Sequence, residues 1–230
     1  MTDPRQAPPA LERVQQNWLA ASERRILNWL CAHMPSAITP DILTMTGMIG
    51  AVMVFAGYVA SNWGGAWLII TLVGYAVQWF GDSLDGSLAR WRRIERPSYG
   101  YFIDHSCDGL ANFLIVAGIG LSPFVTMDVA MIALAGYLLM SIHAFLSARV
   151  VGELRLSYFA AGPTELRLML VAMTVMMMVL GPERGLFGVI SGFDLFVGGI
   201  GAILILLFLG QTIATGRRLA ALERPPALRP

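Results

Sequence analysis

The chain has 230 residues, of which 56% are hydrophobic and only 13% charged, and its net charge is +1. An ordinary soluble domain carries roughly twice that charged fraction, so a water-soluble globule and a disordered chain are both poor descriptions, and so small a net charge argues against nucleic acid as a partner. Cys31 and Cys107 lie far apart and in no Cys-x-x-Cys spacing, which implies neither a disulfide framework nor a zinc site.

Residues 1–9, MTDPRQAPP, are polar and proline-rich and read as a flexible tail without the apolar core of a signal peptide. Over 10–34 the apolar residues Leu11, Val14, Trp18, Leu19, Ile26, Trp29 and Leu30 recur at intervals of three, four and seven among charged and amide side chains. This pattern predicts an amphipathic helix lying in the membrane interface. Beyond Pro35 and Pro40 the apolar residues come in blocks, several of about 20 residues, the length a helix needs to cross about 30 Å of hydrocarbon. Six spans are expected, at 43–61, 65–88, 100–121, 127–148, 166–181 and 195–215, within a membrane domain of 35–216 that is followed by a tail of 217–230. The predicted fold class is therefore all-α: a polytopic membrane protein with six transmembrane helices preceded by an N-terminal amphipathic juxtamembrane helix.

All 16 basic residues are arginine, and with six spans 15 of them fall on one side of the membrane, leaving Arg184 alone on the other. The positive-inside rule then places both termini in the cytoplasm. A bacterial inner membrane is the expected location.

Four of the eight aspartates fall in one stretch, GDSLDGSLARWRRIERPSYGYFIDHSCDG. Asp82 and Asp85 close the second span, and Asp104 and Asp108 open the third. Spacings of three and four put each pair on one helix face, and the short connection makes the two helices antiparallel neighbours. Four facing carboxylates at membrane depth repel one another unless neutralised, and ionisable groups there point to function. Oxygen-only ligation favours a hard cation such as Mg²⁺, Mn²⁺ or Ca²⁺ over zinc. Gly86, Ala89 and Gly100 keep the acid-bearing faces lean, and Arg90 follows at the cytoplasmic end. Metal, open floor and arginine together suit a phosphate-bearing substrate.

These residues resemble the signature of the CDP-alcohol phosphotransferases, D-x2-D-G-x2-A-R-x8 or x9-G-x3-D-x3-D. Asp82, Asp85, Gly86, Ala89, Arg90, Gly100, Asp104 and Asp108 occupy every fixed position. A weaker likeness lies upstream, where Pro40-Asp41-Ile42-Leu43-Thr44 stands for the family's Pro-Asn-x-Leu/Ile-Thr, with aspartate in place of asparagine. The resemblance implies a two-metal site (Mg²⁺ or Mn²⁺) on Asp82, Asp85, Asp104 and Asp108, with Asp108 also the base toward the acceptor hydroxyl. It further implies nucleotide contacts from Asp82, Gly86, Ala89, Arg90, Gly100 and Thr44. The implied reaction transfers a substituted phosphate from a CDP-linked donor to an alcohol, releasing CMP, in a homodimer. His105, in the string Asp104-His105-Ser106-Cys107-Asp108, is similar to the D-H-G-C-D of the choline and ethanolamine branch, which favours an aminoalcohol or related chemistry. His105, Arg149 and Arg155 are the candidate acceptor-side residues.

Two other classes compete. An intramembrane prenyltransferase-like enzyme also sets acids and magnesium against a diphosphate, but it lacks the D-G-x2-A-R element. A divalent-metal transporter would use the acid pairs as a transit site, yet no inverted repeat is visible. His143 is expected to be a satisfied polar contact, the methionines 173, 176, 177 and 178 to face lipid or fill packing, and Gly198, Gly199 and Gly201 to mark close helix contact.

Overall fold

The computed structural model describes residues 12–13, 20–151, 153–154, 163–182 and 190–222. Apart from a two-residue parallel pairing of Glu12–Arg13 (β1) with Glu153–Leu154 (β2), every regular element among them is helical. Seven α-helices follow in order: α1 Ala20–His33, α2 Pro40–Ala60, α3 Leu68–Arg92, α4 Pro97–Leu121, α5 Met127–Val151, α6 Pro163–Leu180 and α7 Gly192–Leu222. The amphipathic segment is thus helical from Ala20, whereas Glu12 and Arg13, expected within the same helix, are extended because they pair with β2.

Local chemistry sets the boundaries. Thr39 caps α2 by accepting a hydrogen bond from the Ile42 amide at 3.3 Å, and Pro40 opens the helix; a proline there sacrifices an amide that has no intrahelical partner anyway. Pro97 opens α4 in the same way. The C-terminus of α3 turns at Arg93, which is left-handed (φ 57°), and the Ile94 amide donates back to the Ala89 carbonyl at 3.0 Å, satisfying an end carbonyl. At α7, the Ser191 hydroxyl accepts from the Asp194 amide and the Asp194 carboxylate accepts from the Ser191 amide, both at 2.9 Å, a reciprocal cap. The same carboxylate takes the Thr126 amide at 2.7 Å and so ties the start of α5 to that of α7.

Four of these helices, α2, α4, α5 and α7, are long and apolar enough to cross a membrane, so the chain is an integral membrane protein. α3 and α6 are as regular but carry the charged residues Asp82, Asp85, Glu165 and Arg167.

The tightest packing joins α2 to α3, and glycine makes it possible. A Cβ added at Gly81 would lie 2.2 Å from the Gly47 amide nitrogen, one at Gly50 would lie 2.3 Å from the Gln78 nitrogen, and one at Gly57 would lie 2.5 Å from the Thr71 nitrogen. Backbone therefore touches backbone along the whole seam, as small residues permit between membrane helices. A similar approach joins α5 to α7 through Gly136 and Gly201, while Gly198 meets only a Val129 methyl and Gly199 faces open space. Of the three glycines expected to mark close contact in the last helix, only Gly201 meets backbone.

The main core gathers Val54, Tyr58, Tyr75, Ile115, Ile119, Met177 and Val197 from α2, α3, α4, α6 and α7. Within it the Tyr58 hydroxyl bonds the Thr174 hydroxyl at 2.7 Å and the Tyr75 hydroxyl at 3.2 Å. Met173 and Met177 pack inward and Met176 points outward. His143 is buried and satisfied by Ser147 and Thr212. A second cluster seats α1, through Cys31, on Leu43, Leu84 and Leu88. Both cysteines are free, and burial raises the Cys31 thiol above its ordinary pKa, which keeps it protonated and inert.

Candidate active site

α2 and α4 begin at the end of the bundle where α3 finishes. With a rise of about 1.5 Å per residue, Thr44 lies one turn inside α2, while Asp85 and Asp104 each lie about two turns in from their helix ends. The sequence spacing thus brings all three helices to one level, and a single cavity there is lined by Thr44, Gly47, Gln78 and all four aspartates, with Cys107 beside them. Its volume is about 10 Å³, the space of one water molecule or one ion.

The four acids are held differently. Asp85 Oδ2 accepts from the Thr44 hydroxyl at 2.7 Å, and its Oδ1 accepts from the Gly86 amide at 2.5 Å. Thr44 therefore acts on α3 from the facing helix. Asp82 Oδ2 accepts from Arg167 of α6 at 2.8 Å, in a pair whose side chains are 13% (Arg167) and 25% (Asp82) exposed. Asp104 and Asp108 flank His105, whose Nδ1 lies 3.9 Å and 3.7 Å from their carboxylates. These three residues offer ligand atoms within 4.8 Å of one another. The His105 ring is wedged between Tyr101 and Phe145, with centroids at 4.4 and 5.1 Å. Asn112 sits beneath Asp108, donating to its backbone carbonyl at 2.7 Å and to the Tyr137 hydroxyl at 3.0 Å.

The remaining motif positions lie outside the cavity lining. Arg90 is exposed at the end of α3, donates to Ser87 at 3.3 Å, and lies back over Gly86, where an added Cβ would meet its guanidinium at 3.3 Å. Gly100 faces open space, so no protein atom demands its smallness. Asp41 does not reach the acids: it pairs with Arg96, whose guanidinium also stacks on Tyr99 at 4.1 Å. Arg149 is exposed near the end of α5, and Arg155 lies outside the described residues.

Three features were not read from the sequence. Gln78, one turn before Asp82 on α3, enters the cavity lining. The Glu23 carboxylate of α1 accepts from Trp79 at 3.0 Å and from Thr164 at 3.0 Å, joining α1, α3 and α6 beside the site. Between those helices runs an apolar groove of about 370 Å³, lined by Ile26, Leu72, Ala76, Trp79 and Leu168 and reaching Arg167. Arg167 thus lines the groove and bonds Asp82, which lines the cavity. The spacing of Gln78 from Asp82 is a signal for the first feature; the other two depend on contacts distant in sequence.

Comparison with known proteins agrees with this architecture. A stretch of 105 residues is 32% identical to the archaetidylinositol phosphate synthase of Methanothermobacter thermautotrophicus, covering 46% of this chain and 51% of that one. Another of 115 residues is 30% identical to the phosphatidylinositol phosphate synthase of Cutibacterium acnes, covering 48% and 49%. The match thus spans about half the length of each of these relatives. The model of one family, described as CDP-alcohol phosphatidyltransferase, matches residues 37–214, which takes in α2 to α6, most of α7 and every acid of the cavity. The chain belongs to the CDP-alcohol phosphatidyltransferase family.

Proposed function

We propose that the protein transfers a substituted phosphate from a CDP-linked lipid to the hydroxyl of a polar alcohol, releasing CMP, at the cytoplasmic face of a six-span membrane domain. The observation that carries this reading is the convergence of Asp82, Asp85, Asp104 and Asp108 from two helices on one ion-sized cavity. Carboxylate oxygens fit a hard divalent cation, so these four residues would hold Mg²⁺ or Mn²⁺; the space between them takes one ion as it stands, and the pair of ions that the family resemblance implies would require the side chains to part. Bound there, the ions supply charge neutralisation to the diphosphate and to the departing CMP.

The chain's own groups do the rest. The acceptor oxygen forms a bond to the β-phosphorus, the bond from that phosphorus to the bridging oxygen breaks, and CMP leaves with the bridging oxygen. Asp108, 41% exposed and turned to the cavity, takes the hydroxyl proton as the general base. Arg90, exposed at the end of α3, holds phosphoryl oxygens of the nucleotide, and Gly86, Ala89 and Gly100 give the cytidine a surface without bulk. Thr44 orients Asp85. The apolar groove between α1, α3 and α6 suits a hydrocarbon chain, which supports a lipid substrate, and we read that chain as the donor's. His105, Arg149 at the end of α5 and Arg155 face the acceptor, and the enzyme works as a homodimer.

The names of the two relatives, each a synthase of an inositol phosphate lipid, support a phosphorylated polyol as acceptor over the aminoalcohol expected from the D-H-S-C-D string. With the family shown, neither the prenyltransferase-like nor the transporter reading has an observation in its favour. The test is a panel of CDP-diacylglycerol and CDP-aminoalcohol donors against inositol phosphate, inositol and diacylglycerol, read by CMP release and lipid mass. CMP and a new lipid are expected only from CDP-diacylglycerol with inositol phosphate. Turnover confined to a CDP-aminoalcohol donor would reverse the assignment of the lipid.

A further inference from the structure

Gln78 is 6% exposed on α3, and its amide oxygen Oε1 is buried with no hydrogen-bond partner. Its backbone cannot shift to find one, because Gly50 of α2 presses against it so closely that a Cβ at Gly50 would lie 2.3 Å from its nitrogen. Burying an unsatisfied acceptor costs stability, and an apolar residue of the same size would avoid that cost. The side chain nevertheless lines the four-aspartate cavity, one helical turn deeper in the bundle than Asp82. It is the neutral floor beneath the acids.

We propose that Gln78 is a positioning residue of the cation site: its Oε1 accepts a hydrogen bond from a water that hydrates a divalent cation held by the aspartates above it. This rests on the reading of the aspartates as a cation site. Hard cations retain several waters whose protons need acceptors, and a neutral amide oxygen meets that need without adding a fifth negative charge to four. Partners in this outer position set metal affinity, typically by 10- to 100-fold.

The test is Mn²⁺ binding to the purified full chain in detergent, followed by the electron paramagnetic resonance signal of free Mn²⁺, alongside thermal unfolding without added metal. Wild-type binding tests the aspartate site itself, and the comparison with variants tests Gln78. Gln78→Leu is expected to weaken Mn²⁺ binding about tenfold while raising the metal-free Tm, a pair of opposite signs that a packing role cannot produce. Gln78→Asn, which withdraws the acceptor by one methylene, is expected to lose affinity too, and it keeps the test open should the leucine variant fail to fold. Wild-type affinity in either folded variant, or a leucine variant in which Tm and affinity fall together, would overturn the proposal.

Discussion

The α2–α3 seam gives the sharpest expectation, because the site is built across it. In Gly81→Ala the new methyl would lie 2.2 Å from the Gly47 nitrogen and 2.4 Å from the Leu43 carbonyl oxygen, both backbone atoms that no rotamer change can move. Restoring a contact of about 3.5 Å requires the helices to part by roughly 1.3 Å. Thr44 is one residue from Leu43, so its 2.7 Å bond to Asp85 would open to about 4 Å, beyond hydrogen-bonding range. The overpacking costs about 1–3 kcal/mol, a fall in Tm of several degrees for a chain this long. Activity should fall further than stability, since Asp85 loses its orienting partner. Thermal unfolding in detergent and CMP release, measured on Gly81→Ala beside Gly100→Ala, check this. The Gly100 methyl meets nothing, and as Gly100 lies within α4 its replacement by alanine should leave Tm unchanged or slightly raised. A Gly81→Ala protein with wild-type Tm and turnover would refute the packing argument.

Other expectations follow from the arginines. Arg92 donates to the carbonyls of Met34, Pro35 and Ile38 at 3.0, 2.8 and 2.6 Å, so Arg92→Ala should cost about 2 kcal/mol and raise hydrogen exchange in the α1–α2 turn; unchanged exchange there would show that the clamp is dispensable. Arg167→Ala removes the partner of Asp82 and should lower metal-free stability by about 2 kcal/mol. Mn²⁺ should then stabilise that variant more than wild type, as the cation replaces the lost positive charge, and an equal Mn²⁺ shift in both proteins would contradict that role. Asp108→Asn should abolish CMP release while sparing much of the donor binding; full turnover would remove Asp108 from the base role.

Much of this was legible in the sequence, for identifiable reasons. The helices were readable because apolar blocks are bounded by Pro40, Pro97 and Pro163, whose rings fit only the first turn. The acids were readable because spacings of three and four survive folding unchanged on a helix. The α2–α3 seam is marked in the sequence only by the seven-residue intervals from Gly50 to Gly57 and from Gly74 to Gly81, a pattern that glycines of open helix faces such as Gly100 dilute. Arg92 and Arg167 count in the sequence only among the fifteen arginines of the expected cytoplasmic side, and both prove to be committed to partners. Those partners lie more than fifty residues away, and no local pattern encodes such a pairing. Asp41 shows the same limit: aspartate replaces asparagine in the upstream motif, and its charge serves Arg96 at the mouth of α4, a pairing across more than fifty residues.

The most direct test is CMP release from CDP-diacylglycerol and inositol phosphate by the purified protein, with Mn²⁺, after EDTA, and in Asp85→Asn and Asp104→Asn. CMP should form only with a divalent cation, and either substitution should lower the rate by at least about 100-fold. CMP release that survives EDTA, or that is unchanged in the two variants, would contradict the assignment of these aspartates to a cation-dependent phosphotransferase site.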